Sequence, residues 1–290
     1  MCQLFYVLLG CINQTDAANC GRCFCSQDVA TGDQNVICLG VPFAEIKTTF
    51  DVNTGIGNIN RFDIVPEVGD NQIPARLLGL HTVRIIHLAS CGNNLMEIDR
   101  NAFDSSSDTT QEFVVYDCDI KSLIWSFLDG FTRVNLLQLE GATNIQSLGT
   151  LPSLSSLKRL SITNSKGFGS LNFPGSSVSG LQNLVMTENT ELTDGKLESI
   201  LATLVSAKSL ETVSLKNNPY ISAVPSTLAG LVALHSLDLS LCDVNSILSD
   251  SLSFSTAVRK LDLTQNFLAD ISDNSFEKGI SIVKFRRVLK

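Results

Sequence analysis

Apolar and polar positions alternate along this chain in a figure that recurs. The segment LDLSLCDVNSI (237–247) is followed 24 residues later by LDLTQNFLADI (261–271). Take Cys242 and Asn266 as reference positions. Comparable places then fall at Glu67, Cys91, Cys118, Ala142, Ser165, Asn189 and Asn218, in steps of 24, 27, 24, 23, 24, 29, 24 and 24 residues. Five and three residues before each reference stands an apolar pair, from Phe62 and Ile64 to Leu261 and Leu263. Eight residues before, the position is apolar in every turn except at Thr110. A spacing of two puts both members of a pair on one face of a short strand. One such strand cannot cover its apolar face alone, but a stack at near-constant period buries it in a continuous core.

The figure L-x-x-L-x-L-x-x-N/C-x-L is that of the leucine-rich repeat. It predicts an α/β repeat solenoid, a horseshoe with a parallel sheet on its concave face. About nine repeats occupy residues 56–276. Glu67, Ala142 and Ser165 depart from Asn or Cys at the reference position, which predicts looser turns there. The longest step contains GKLESILATLVSA (195–207). Leu197, Ile200, Leu201 and Leu204 recur there at helical spacing, so a short helix is expected on the convex side. Helical turns or irregular chain are expected at IDRNAF (98–103) and ISDNSF (271–276). Trp125, the only tryptophan, falls outside the strands and is expected to pack the convex side with Phe127.

Residues 277–290 read as an incomplete repeat or tail. Ile282 and Phe285 take the first two apolar positions of a tenth repeat, but Arg287 stands where an inward leucine belongs. Either the chain is a fragment or its basic tail folds over the last repeat. A bare end would expose strand edge and core, and would invite association with another chain.

Length alone would allow two domains in 290 residues, but a solenoid grows linearly without dividing. The net charge of −8 argues against nucleic acid, whose phosphates need concentrated Lys and Arg. The chain opens MCQLFYVLLGCINQTDAANC, with an apolar run at 4–12 and small residues Ala17 and Ala18 after it. Residues 1–18 read as a secretory signal peptide; the competing reading is a buried first strand of the cap. No later segment is long and apolar enough to span a bilayer. These features predict a secreted, extracellular protein. The sequon at Asn13 would leave with the signal, as would Cys2 and Cys11.

Residues 19–55 form a cysteine-rich cap before the repeats. Cys20, Cys23, Cys25 and Cys38 are spaced C-x2-C-x-C-x12-C. Disulfides would staple the exposed end of the core. A zinc site is the alternative. Four cysteines allow three pairings, and spacing does not choose among them. Cys91, Cys118 and Cys242 occupy reference positions and are expected to be buried free thiols, serving as small apolar residues.

The sequence holds no H-E-x-x-H, no G-x-S-x-G and no G-x-x-x-x-G-K-S/T. His81, His87 and His235 lack ligand spacing, and GIGN (55–58) lacks the third glycine of a dinucleotide loop. No enzyme activity, cofactor or metal is expected. What the repeat offers is a surface, because residues between the inward pairs line the concave face. Tyr116, Glu140 and Arg159 lie in three consecutive repeats, and an aromatic beside paired charges suits a protein interface. Asp238 and Asp262 form an acidic strip that Lys216 and Lys260 could neutralise, and His87 lies on the same face. The plain alternative is a solvated sheet face.

The cap spacing resembles the amino-terminal cap of extracellular leucine-rich-repeat proteins. That resemblance implies Cys20 bonded to Cys25 and Cys23 bonded to Cys38. Over roughly residues 20 to 280, the chain resembles the arthropod proteins named after the non-catalytic subunit of Oplophorus-luciferin 2-monooxygenase. The likeness is carried by CGRCFCSQD leading to VICLG, by IPARLLGL, by LMEIDRNAFDSSSDTTQEFVVYDCDI and by LPSLSSLKRLSI. It implies a non-enzymatic subunit that associates with or stabilises a protein partner. A recognition ectodomain of an immune or adhesion receptor is the other function class left open.

Overall fold

The apolar pairs form strands that stack in register. A computed structural model describes residues 20–52, 55–119, 125–143, 149–168, 171–173, 177–247, 258–271 and 282–284. Its main sheet has twelve strands. In order they are β1 (Phe24–Gln27), β2 (Gln34–Val41), β3 (Ile59–Pro66), β4 (Val83–Leu95), β5 (Glu112–Asp119) and β6 (Leu136–Glu140), then β7 (Arg159–Thr163), β8 (Asn183–Thr187), β9 (Thr212–Ser214), β10 (Ser236–Asp238), β11 (Lys260–Asp262) and β12 (Ile282–Lys284). β1 runs antiparallel to β2, and every later neighbour is parallel.

Register follows the repeat. Phe62 aligns with Ile86, Ile86 with Phe113, and so on through Leu237 and Leu261. Every member of the inward pairs from Phe62 to Leu263 is at most 1 % exposed. Thr110, the one polar residue at its position, is also buried, and its hydroxyl donates to the Val83 carbonyl at 2.9 Å. That bond satisfies a hydroxyl whose burial would otherwise be costly. The carboxyl-terminal register departs from the 24-residue step. Leu261 aligns with Val283, so β12 comes two residues earlier than Phe285 would place it. Steps in this chain already vary by several residues, because the convex segments differ in length while the strand ladder does not. Residues 285–290, and with them Arg287, lie outside the described residues, as do 1–19 and 272–281.

The convex side is irregular. Short parallel pairs join Gln72–Ile73 to Glu97–Ile98, Gly149–Thr150 to Leu171–Asn172, and Ser246–Ile247 to Asp270–Ile271. In the stretch at 98–103, Ile98 ends a short strand and residues 100–103 are turn, with Ala102 and Phe103 buried, and a 3-10 helix at Asp104–Ser106 follows. Trp125 and Phe127 are buried together in a 3-10 helix with ring centroids 6.3 Å apart. Phe127 also meets the strand residue Phe113 at 5.1 Å, so it bridges the two sides of the core. In the cap, helix α1 (Phe43–Val52) buries Phe43, Ile46 and Phe50 at helical spacing. Helix α2 (Asp194–Thr203) fills the longest step and buries Leu197, Ile200 and Leu201. It ends before the predicted residue 207, although Leu204 and Ala207 stay buried.

The turn leaving each strand has its own rule. The residue just before the reference position takes a left-handed backbone in eight turns: Ser90, Asp117, Gly141, Asn164, Glu188, Asn217, Leu241 and Gln265. Gly40 does the same in β2. The first repeat breaks the rule because Pro66 stands there, and proline cannot adopt positive φ. The looser turn expected at Glu67 is therefore real. At Ala142 and Ser165 it is not, since Gly141 and Asn164 turn as their neighbours do.

The left-handed turn aims reference side chains inward at backbone that would lack partners. Asn189 donates to the Ile162 carbonyl at 2.9 Å and accepts from the Ser165 N–H at 3.0 Å. Asn218 donates to the Met186 and Leu215 carbonyls and accepts from the Asn189 N–H. Asn266 repeats the pattern with Leu239, Leu263 and Val244. Cys242 substitutes its thiol, 3.2 Å from the Leu215 carbonyl. Burial pushes that thiol up to about 11, so it stays protonated and inert.

Cys91 and Cys118 are not free thiols. They are bonded to each other, with Cα atoms 4.8 Å apart. Reference positions of adjacent turns stack at the strand spacing, which lies within disulfide reach. Two cysteines at successive reference positions therefore face each other. In the cap, Cys20 is bonded to Cys25 and Cys23 to Cys38, the pairing the resemblance implies. Cys38 occupies an inward strand position aligned with Ile64, so the cap continues the core rather than covering it.

Candidate functional site

Strand alternation turns one side chain in two away from the core. On β3, Arg61 and Asp63 share the concave face. The Arg61 Nε donates to both Asp63 oxygens, at 2.8 and 3.0 Å. Asp63 is only 7 % exposed. Its neighbour on β4 is His87, whose Nδ1 lies 3.0 Å from Asp63 Oδ1. The His87 ring then meets Tyr116 on β5 edge to face, centroids 5.9 Å apart. Tyr116 is the register partner of Glu140 on β6. Gln138 donates to Glu140 at 3.0 Å. Four adjacent strands thus carry one connected patch.

The patch has a defined electrostatic character. Burial, then the Glu140 carboxylate, pushes the Tyr116 hydroxyl up, with Arg61 opposing. Tyr116 therefore keeps its proton and can donate a hydrogen bond at physiological pH. Asp63 is held by two cationic or donor neighbours, which orients all three side chains without a ligand.

Arg159 does not join this patch. It aligns with Leu136, while Thr163 aligns with Glu140. Four residues of strand separate it from the level of Glu140, roughly 13 Å. Tyr116 and Glu140 share a row, and Arg159 belongs to the row of Arg61 and Glu112, which reaches the patch at Arg61 through its contact with Asp63. Arg61 takes its place as the cation near Tyr116. Arg61 and Asp63 were not singled out above, although their two-residue spacing beside His87 in the next repeat was visible.

Asp238 and Asp262 do lie side by side on β10 and β11. Each secures its own strand exit. Asp238 accepts from the Ser240 N–H at 2.9 Å, and Asp262 accepts from the Thr264 N–H at 3.1 Å and hydroxyl at 2.8 Å. Lys216 is exposed, and no ion pair among the described residues joins it to Asp238. This strip serves the turns first. No cluster of three or more His, Cys, Asp or Glu that could hold a metal occurs among the described residues. No helix among them is long and apolar enough to cross a membrane.

No protein-family model and no curated protein sequence matches the chain. Solved structures match it in shape. A chain of the TLR13–ssRNA13 complex superposes with a TM-score of 0.63 at 16% identity, over 85% of this chain and 34% of its own length. A chain from the complex of latrophilin 3, Unc5D and the leucine-rich-repeat protein FLRT2 gives 0.52 at 17% identity, over 87% and 79%. The fold is the leucine-rich-repeat solenoid. This solenoid spans about a third of the length of the TLR13 chain that it matches. At such identities the likeness concerns the fold, and the site must be argued from its own residues.

Proposed function

We propose that this chain is a secreted, non-enzymatic binding protein whose concave face holds a protein partner. The observation that carries the reading is the Arg61–Asp63–His87–Tyr116–Glu140 patch. Arginine and tyrosine dominate binding energy at interfaces, and side chains already held in place lose less entropy when a partner docks. The three disulfides suit an oxidising, extracellular compartment. Stabilising a small catalytic partner, as the luciferase non-catalytic subunit does, is the specific form that the sequence resemblance suggests.

Immobilised chain, exposed to native extract of the source animal, is expected to retain a discrete protein identifiable by mass spectrometry. The His87→Ala, Tyr116→Ala double variant should lose it, because removing such an anchor costs about 2 kcal/mol or more. An Asp238→Ser, Asp262→Ser variant should keep it. Equal capture by both variants would move the site off this patch.

A further inference from the structure

The two edges of the sheet carry opposite charge. Where strands end, Asp70, Asp117, Glu140, Glu188, Glu191 and Asp243 face Lys166 and Lys216. Where strands begin, the balance reverses. A continuous backbone row runs there from Arg84 through Lys158 to Arg259. The N–H of each member donates to the carbonyl of the member one turn earlier, at 2.8 to 3.0 Å. The row crosses seven strand spacings, roughly 34 Å. Arg84, Lys158 and Arg259 lie on it, and Arg133, Arg159 and Lys260 flank it within two residues. All six are exposed, and none is in an ion pair among the described residues. The acids near this row are Asp108, Glu112 and Glu211, and Asp28 and Asp33 lie at the same edge in the cap.

In a chain of net charge −8, an unpaired cationic edge is the anomaly. Like charges such as Lys158 and Arg159 repel each other, and no ion pair among the described residues offsets that cost. We propose that this edge binds a linear sulfated polysaccharide. The cations form a line rather than a pocket, which suits an extended polyanion over a compact phosphate. Between them on the row stand Gln111, Asn135, Gln182, Glu211 and His235. The three amides can hydrogen-bond sulfate and hydroxyl oxygens, and Glu211 is the one acid on the row. No Phe, Tyr or Trp lies on the row and His235 is its one ring, whereas proteins that hold single-stranded nucleic acid supply successive stacking platforms. The disulfides place the chain where sulfated polysaccharides rather than nucleic acids are the abundant polyanions.

The test uses heparin as the probe, immobilised on a resin near neutral pH and low salt. The parent chain is expected to be retained despite its net negative charge and to elute with salt. Lys158→Ser with Arg159→Ser should elute markedly earlier and lower the salt slope of binding by about two, one per lost cation, since counterion release governs any linear polyanion. Lys166→Ser with Lys216→Ser changes net charge equally at the other edge and should elute with the parent. Circular dichroism of all three should coincide, because the four lysine and arginine positions are exposed. No retention of the parent, or equal loss in both variants, would overturn the proposal. So would displacement by single-stranded RNA at lower concentration than by soluble heparin, which would assign the edge to nucleic acid.

Discussion

The turns up to Cys118 and the turns from Ser165 onward solve one problem in two ways. Both must bind each turn to the next at the point where the chain leaves the strand. The early turns do it covalently, through the Cys91–Cys118 bond, and two further disulfides staple the cap that precedes them. The late turns do it with Asn189, Asn218 and Asn266, whose amides satisfy buried backbone groups on both sides. The cores differ as well. Aromatic rings are densest in the early turns, with Phe62, Phe103, Phe113 and Phe127 fully buried, whereas in the late ones Phe168 and Phe173 lie at the start and Met186, Val213, Leu237 and Leu261 build the rest. The concave faces follow the same division. A connected aromatic and charged patch lies on β3 to β6, whereas β9 to β11 carry Thr212, Ser214, Ser236, Lys260 and the two turn-capping aspartates, with no aromatic ring. The braced end is also the end that carries the connected patch on which the proposed function rests.

The largest expected effect comes from breaking the late ladder. Asn218→Ala would take the side-chain partner from the buried Met186 carbonyl and Asn189 N–H, while the Leu215 carbonyl keeps the Cys242 thiol. At about 1–3 kcal/mol per orphaned group, the expected loss is about 2–6 kcal/mol in denaturant unfolding. A loss below about 1 kcal/mol would mean water replaces the amide. Next comes the early brace. Cys91→Ser with Cys118→Ser removes a crosslink over 27 residues, worth about 3.5 kcal/mol by loop entropy. Mass spectrometry of the parent should find these two thiols oxidised and Cys242 free.

A smaller effect tests the shared turn. Gly141 has φ of +71°, and a Cβ there would meet the Asp117 carboxylate. Gly141→Ala should cost about 1–2 kcal/mol, while Gly195→Ala, in open space at the start of α2, should cost nothing measurable.

The smallest concerns pH. Burial pushes the Glu198 carboxyl up, but hydrogen bonds from Thr227 and Ser226 outweigh it and hold the group below its usual range. A folded-state value below the unfolded one adds stability above the unfolded carboxyl range. That stability is lost as pH falls through the lower folded value. Glu198→Gln should therefore flatten the acid side of the stability profile and leave its alkaline side unchanged.

Much of the fold was legible because alternation at two residues is a statement about burial, and burial sets register. The Cys91–Cys118 bond was harder to see because it lies between turns, while the pattern was read within each turn. The left-handed turns left no compositional mark, since Ser, Asp, Glu, Leu and Gln all adopt them. Helix α1 was missed because its segment was read through its cysteines, although Phe43, Ile46 and Phe50 keep helical spacing. At the candidate site, adjacency within a row was readable, as Tyr116 beside Glu140 shows. Grouping Arg159 with them ignored its distance along the strand. The Asp63–His87 contact needed side-chain conformations that no row of letters contains.

The most direct test of the central claim compares the two halves of the concave face. A photoreactive phenylalanine analogue would replace Tyr116 in one preparation and Ser214 in another. Each would be irradiated in native extract, and the covalent products sequenced. The account expects a discrete protein crosslinked from position 116 and none from position 214. Crosslinking from 214 alone, or from neither position, would contradict it.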